Sequence, residues 1–332
     1  MPALMTHDFF GQDLYAEMQG ELPFAANAAD AAAIAASPIA GLVGPTRDER
    51  EAFLLGNQGP DPLFFVVLAP WMLRFARIGH RMHDEKPTEL LSALRRSADV
   101  LPAADQPIAR AYLAGFACHY VLDSTMHPFV FAQQFAICDA GVPGLTRKDG
   151  SEVHAVIEGE FDEVLLSVRT GQTVATYDPK RMTLRGSSRT LSVVSKMYCY
   201  AVLVTLGVSI PPSLFAEGVR SYRRATGAFR SRTGTKRSVL GAAERLVRPH
   251  SFYQAMSWRA VPVAESAFEN RERRLWENPF TGVSQRASFA DLFVEAKDAA
   301  RKAIALALDP TFDEQAAREI TRGLNFSGKP VE

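Results

Sequence analysis

The sequence predicts an all-α protein, a multi-helix bundle, and three observations predict it. Apolar residues recur at helical spacing in segment after segment, and no run alternates with period two over several strands. With 332 residues, 47% of them hydrophobic, the chain can bury a large core and lies near the size at which single cores split. Two of the apolar helices also carry histidine and carboxylate four residues apart, the arrangement from which facing helices build a metal cluster between them. The expected organisation is a metal-binding helical core over residues 1–180, with the helices of 181–332 packed on the same domain.

In chain order, Thr6 is placed to N-cap a helix that starts at His7 and runs through Leu14 and Met18, which puts His7 in its first turn. An alanine-rich helix around Ala28 to Ala36 follows, then a turn at Gly44-Pro45 and a helix over Arg47 to Leu55 that ends at Gly56. Beyond GNQGPDP a second apolar helix is expected from Leu63 to about Ile78. Asp61, between two prolines, sits in a rigid loop, where capping the next helix is one role open to it. In GHRMHDEKP, His80 and His83 are three residues apart and so share roughly one helical face. Pro87 to Val100 reads as helix, LPAADQP as a pause, and Ala111 to Phe135 as the central helix. Pro128 biases His127 away from helical geometry, so that helix is expected to stop near Met126. Ile137 to Gly150 reads as loop and Ser151 to Arg169 as helix. Past Gly171 come amphipathic segments at Leu191 to Leu206, Pro212 to Phe229, Val239 to Val247, Phe252 to Phe268 and Phe289 to Leu308. Lys180 to Ser188 and Thr226 to Arg237 are expected to be the mobile connections.

The central helix, AYLAGFACHYVLDSTMHPFVFAQQF, sets His119, Asp123 and His127 four residues apart. At 100° per residue Asp123 lies about 40° round from His119, with Tyr112, Gly115, Phe116, Leu122 and Met126 within about 60°. The polar pair thus points where the apolar side points. An unpartnered buried carboxylate costs on the order of several kcal/mol, so Asp123 needs a cation, strong donors or a water-filled cleft. Gly115, one turn before His119, leaves room beside it. SEVHAVIEGEFDEVLLSVR repeats the spacing with His154 and Glu158, and Phe161 and Leu165 share that face. Six of the seven histidines precede residue 155, and His250 stands apart. Imidazole with carboxylate and no thiolate suits zinc or a similar first-row ion.

The formal net charge is zero but unevenly spread. From Lys180 to Arg259 there are 15 lysines and arginines against only Glu217 and Glu244. Such a segment is either a solvated helix face with a loop at TGAFRSRTGTKRS or a wall attracting phosphate-bearing substrates or an anionic membrane surface. MPALMTHDFF has no basic n-region or sustained apolar run, and Ala201 to Ile210 is too short to cross a bilayer. Cys118, Cys138 and Cys199 are an odd, scattered set that suits reduced thiols, so a cytoplasmic location is expected. Cys118 adjoins His119 but points about 100° away and is not expected to be a ligand.

Taken in order, His7 in MPALMTHDFFG, Asp61 in GNQGPDPLF, then GHRMH, HYVLDSTMHP and HAVIE resemble the zinc-dependent phospholipase C family, helical proteins with a metal cluster that share an architecture with the P1-type nucleases. The resemblance covers roughly the first 170 residues, and WENPFTGVSQRASFADLF looks similar to bacterial members. It implies that His119 and Asp123, with Asp61 and one of His80 or His83, hold one zinc, that His127, His154 and Glu158 hold a second, and that Asp123 reaches towards a third near His7. In secreted members the third site uses the N-terminal amine and first residue, and the step corresponding to Asp123–His127 is longer than here. The resemblance further implies phosphodiester hydrolysis of phospholipase C type, with metal-activated water attacking phosphorus and Asp61 orienting it. The expected substrate is a phosphodiester or phospholipid-like molecule. A nuclease or nucleotidase of the same architecture is the alternative on the same site, with Phe64, Phe65, Tyr120 and Phe129 as stacking aromatics. An HD-type phosphohydrolase using His83-Asp84, or a non-catalytic helical metal-binding module, are the alternatives of other classes.

Overall fold

The computed structural model describes residues 3–24, 26 and 31–332. It is helical, with one two-stranded antiparallel hairpin among the described residues. The chain forms α1 (Leu4–Met18), α2 (Ala31–Ala35), α3 (Arg47–Gly56), two 3₁₀ helices (Asp61–Leu68 and Pro70–Phe75), α4 (Ile78–Asp84), α5 (Pro87–Asp99) and α6 (Gln106–Cys138). There follow α7 (Gly150–Thr170), α8 (Pro179–Met182), α9 (Ser188–Leu206), α10 (Leu214–Phe229), α11 (Thr235–Glu244) and α12 (Phe252–Ala255). The hairpin pairs β1 (Trp276–Glu277) with β2 (Ser284–Gln285), Trp276 opposite Gln285, before α13 (Phe289–Leu308) and α14 (Glu314–Thr321). Part of the expected alanine-rich helix, Ala28 to Asp30, lies outside the described residues.

Two compact units share these elements. The larger comprises His7–Thr125, Thr183–Arg223 and Val294–Glu332; the smaller comprises the chain as far as Thr6, Met126–Met182 and Arg224–Phe293. In the larger unit α5 packs on α9 and α14, and α3 on α9. The first half of α6 is buried on all sides from Ala111 to Leu122, which is why this stretch is apolar all round except for His119. In the smaller unit Phe161 of α7 stacks on Phe289 with ring centroids 4.3 Å apart and lies parallel to Phe129.

Five sequence expectations are corrected. Thr6 is not an N-cap, because α1 begins two residues earlier at Leu4. The buried carboxylate of Asp162 does the capping instead, accepting from the Thr6 backbone N–H at 2.7 Å and its hydroxyl at 2.9 Å. The helix expected from Leu63 to Ile78 is instead two 3₁₀ helices broken at Ala69, whose extended backbone (φ −116°, ψ 95°) is what a residue before proline adopts. Leu63, Val66, Ala69, Met72, Phe75 and Ile78 are buried. That is a period of three, the repeat of a 3₁₀ helix rather than of an α-helix.

α6 does not stop near Met126 but runs through Pro128 to Cys138. An internal proline costs about 3 kcal/mol, whereas burying Phe129 and Val130 just beyond it returns about 1.5–3 kcal/mol each, so packing prevails. In Phe252 to Phe268 only the first four residues are α-helical, and a 3₁₀ turn at Ala267–Glu269 closes the stretch. Trp258 and Val263 are nevertheless buried, and Glu163 of α7 holds the non-helical segment by accepting from the backbone N–H of Arg259 and, at 2.6 Å, from its Nε. The connection expected at Thr226 to Arg237 is shorter, since α10 runs on to Phe229 and α11 begins at Thr235.

The basic segment meets its counter-charge upstream. In the larger unit Arg185 pairs with Glu51, and Arg189 and Lys196 with Asp105. In the smaller unit Arg230 pairs with Asp178, Arg248 with Glu152, and Arg259 with Glu160 and Glu163. Among the described residues no helix is long and apolar enough to cross a membrane.

Candidate metal centres

The larger unit gathers five of the expected side chains. α1 supplies His7, the first residue of the 3₁₀ helix after α3 supplies Asp61, α4 supplies His83, and α6 supplies His119 and Asp123. The backbone around them is set by two glycines. A Cβ on Gly115 would run into the carbonyl of Phe53 and stand 2.9 Å from Cα of Gly56, and one on Gly56 would stand 2.8 Å from the Phe116 nitrogen. The space beside Gly115 is therefore filled by the end of α3, not left open as expected. This close crossing brings the Asn57 carbonyl to 3.2 Å from Nδ1 of His119. The next turn is clamped by two buried tyrosines, whose hydroxyls both donate to the Gly59 carbonyl, Tyr198 at 2.9 Å and Tyr112 at 3.2 Å.

Asp123 lies between two imidazoles, with Oδ1 3.0 Å from Nε2 of His7 and Oδ2 3.3 Å from Nε2 of His119. Asp61 Oδ1 is 3.0 Å from Nε2 of His83 and 3.8 Å from Nε2 of His119. Asp61 thus turns to histidines rather than capping its helix. In the smaller unit Glu158 Oε1 is 3.4 Å from Nε2 of His127 and 3.2 Å from Nε2 of His154. The groups His7, His119, Asp123, then Asp61, His83, His119, and then His127, His154, Glu158 each offer ligand atoms within 4.8 Å of one another. Zinc with ligands at about 2.0–2.2 Å in a tetrahedron separates them by about 3.4 Å.

Proton positions follow from the oxygens on the other side of each ring. A carbonyl only accepts, so Nδ1 of His83 donates to Gly79 O at 2.7 Å, and Nδ1 of His119 donates to Asn57 O. Nδ1 of His154 likewise meets Oε1 of Gln134 at 2.9 Å. Metal-bound histidines are oriented in this way, with the second ring nitrogen held by an oxygen. For His119 this leaves Nε2 as a lone pair facing two carboxylates, an arrangement that repels unless a cation stands between.

Burial pushes the pKa of His119 down to about 4, against the pull of Asp123 and Asp61, so the ring is neutral at pH 7. Its Nε2 is buried with no hydrogen-bond partner. A neutral, unpartnered nitrogen beside two carboxylates fits a bound metal ion. Burial also works against charge on His83, but its hydrogen bond to Asp61 and the charges of Asp61 and Asp123 outweigh it and raise its pKa. For Glu158 the burial cost is exceeded by the charge of His154 and by hydrogen bonds from His127 and His154, which hold the carboxyl far below its usual range.

His80 joins none of these groups; it is exposed, its ring 4.7 Å from that of Phe64. Asp84 is exposed and joins none either, nor does Cys118, a buried thiol that burial pushes well up. Of the expected stacking aromatics, Phe65 lies flat on Tyr222 at 3.9 Å, Tyr120 donates to the carbonyls of Thr321 and Leu324, and Phe129 is core. Sequence reasoning missed Gln134, although it lies seven residues after His127 and so on the same face of α6. It also missed the Asn57 and Gly79 carbonyls, which are backbone groups and carry no residue signature.

Residues 25–197, more than half of the chain, match the family model described as zinc dependent phospholipase C. The match takes in Asp61, His83, His119, Asp123, His127, His154 and Glu158, whereas His7 precedes it. No match is found among curated proteins or among solved structures.

Proposed function

The chain belongs to the zinc-dependent phospholipase C family, and from that premise we propose that it hydrolyses phosphodiesters of phospholipid type at zinc held by the residues described above. In the larger unit the ligands are Asp61, His83, His119 and Asp123, with His7 on the other oxygen of Asp123. In the smaller unit they are His127, His154 and Glu158. One observation carries the reading: the neutral, buried Nε2 of His119 faces two carboxylates without a hydrogen-bond donor of its own.

Zinc supplies Lewis acidity towards phosphoryl oxygens and lowers the pKa of water towards neutrality. Asp123, with its two oxygens turned to different histidines, would hold zinc together with His119 on one side and His7 on the other. Asp61, steered by His83, orients the attacking water and accepts its proton. His127 and His154 remain partly exposed, which suits a centre that must exchange ligands. The acidic ligand set disfavours the extra charge of a phosphomonoester. Engagement of Phe65, Tyr120 and Phe129 within the protein weighs against base stacking, and hence against the nuclease alternative.

The test is zinc-dependent turnover of bis-p-nitrophenyl phosphate, p-nitrophenylphosphorylcholine and p-nitrophenyl phosphate, measured side by side. Diester hydrolysis that is lost in chelator and restored by zinc is expected. Preference for the monoester overturns the substrate class, and zinc-independent turnover overturns the mechanism.

A further inference from the structure

The 3₁₀ pair that begins at Asp61 is apolar on every side but buried on one. Leu63, Val66, Ala69, Met72 and Phe75 face the interior at the three-residue period. Between them Val67 is 48%, Leu68 51%, Trp71 65% and Leu73 52% exposed. Trp71 is also the exposed one of three tryptophans, Trp258 being buried and Trp276 half-buried. A helix apolar all round belongs in a core or in lipid, and a run of this kind on the surface marks an interaction site. Arg74 and Arg77 follow on the same segment, both exposed. Arg74 lies over the Phe75 ring at 4.6 Å, and among the described residues neither arginine makes an ion pair. Neither guanidinium is thus held in a paired contact, unlike most of the cations between Lys180 and Arg259, although the charge of Arg77 reaches Glu85.

We propose that Val67, Leu68, Trp71 and Leu73, with Arg74 and Arg77, form the surface by which this protein docks on a phospholipid bilayer containing anionic lipid. An exposed tryptophan beside aliphatic side chains suits the headgroup boundary, where its ring is apolar and its N–H wet. Exposed arginines outside any ion pair beside it complement lipid phosphates. The surface and Asp61 belong to one short stretch of chain: at about 2 Å per residue, Leu68 lies about 14 Å along its 3₁₀ helix from Asp61. The proposal rests on this segment's exposure and charge and stands apart from the reaction assigned above.

The experiment is flotation of the full-length protein with vesicles of phosphatidylcholine alone and of phosphatidylcholine mixed with phosphatidylglycerol. Wild type is expected to float with the mixed vesicles, less so at high salt, and to show a blue shift of tryptophan emission that Trp71→Phe removes. Trp71→Ala/Leu73→Ser should weaken partitioning at least tenfold, roughly what withdrawing two large apolar side chains from lipid costs. Leu246→Ser/Val247→Ser, which alters two side chains each 86% exposed elsewhere, should bind like wild type. Absence of wild-type binding, equal binding by Trp71→Ala/Leu73→Ser, or loss confined to Leu246→Ser/Val247→Ser overturns the proposal. So does concentration-dependent dimerisation abolished by Trp71→Ala/Leu73→Ser, which assigns the face to a second copy of the chain. Vesicle binding without lipid hydrolysis overturns the reaction and leaves the docking surface standing.

Discussion

Gly59 lies flat against the His119 imidazole: a methyl group on its α-carbon would stand 2.5 Å from Nε2 and closer still to Cδ2. Its φ of +46° also lies in the left-handed region. Gly59→Ala should therefore displace the ring and lower zinc affinity at least tenfold, read as metal content after dialysis. Gly207→Ala is the control, with φ +66° and nothing near its added methyl. It should cost about 1 kcal/mol of stability and leave metal content intact.

The ligand assignment predicts a split among histidines. Wild type should carry two or three zinc ions per chain. His83→Ala, His119→Ala and Glu158→Gln should each lose zinc and activity, while His80→Ala and His250→Ala keep both. His80 is exposed beside Phe64, and His250 is exposed in the turn before α12. Identical metal content across all five variants, by elemental analysis, would show the assignment to be wrong.

Asp162 predicts a pH dependence of stability. Burial raises its pKa from 3.8 to about 6, although Thr6, Met5 and Trp258 all donate to it. The folded chain therefore holds this proton more tightly than the unfolded chain, and stability falls as pH rises from about 4 to about 6. At about 1.4 kcal/mol per pKa unit, the loss is about 3 kcal/mol, complete above pH 6. Urea unfolding at pH 5 and pH 7 should show a smaller drop in Asp162→Asn than in wild type.

The Tyr198 hydroxyl donates to Gly59 O and meets the Tyr112 hydroxyl at 2.7 Å. Tyr198→Phe deletes that bond and leaves a buried carbonyl with one donor. About 1 kcal/mol of stability should be lost, with zinc affinity down severalfold, by denaturant titration and chelator competition.

The helical class and the spacing of histidine and carboxylate were both legible in the sequence, because each is a local period. α3 and α13 have the expected bounds to within a residue, and both i, i+4 pairs point inward together. The 3₁₀ segment was misread because apolar residues on all its faces hide a period of three under any template. The end of α6 was misread because a proline's local cost is visible and the burial of Phe129 beyond it is not. His80 and His83 could not be told apart, since which of them meets Asp61 depends on a contact 22 residues away in sequence. The capping of α1 by Asp162 spans 156 residues and leaves no local trace.

The bonds that frame the larger unit's group join residues 112 apart for His7 and His119, 62 for Asn57 and His119, and 139 for Gly59 and Tyr198. An unfolded chain offers no such neighbourhood, because closing loops of that length costs conformational entropy before any ligand atom meets another. Zinc that binds the folded chain then finds little to hold in the unfolded one. Its affinity counts almost wholly towards the native state, about 1.4 kcal/mol per site for each tenfold excess of free ion over Kd. The quantity of folded protein, and not only its turnover, would then follow zinc supply, so scarcity of the ion would be read first as loss of the protein to proteolysis.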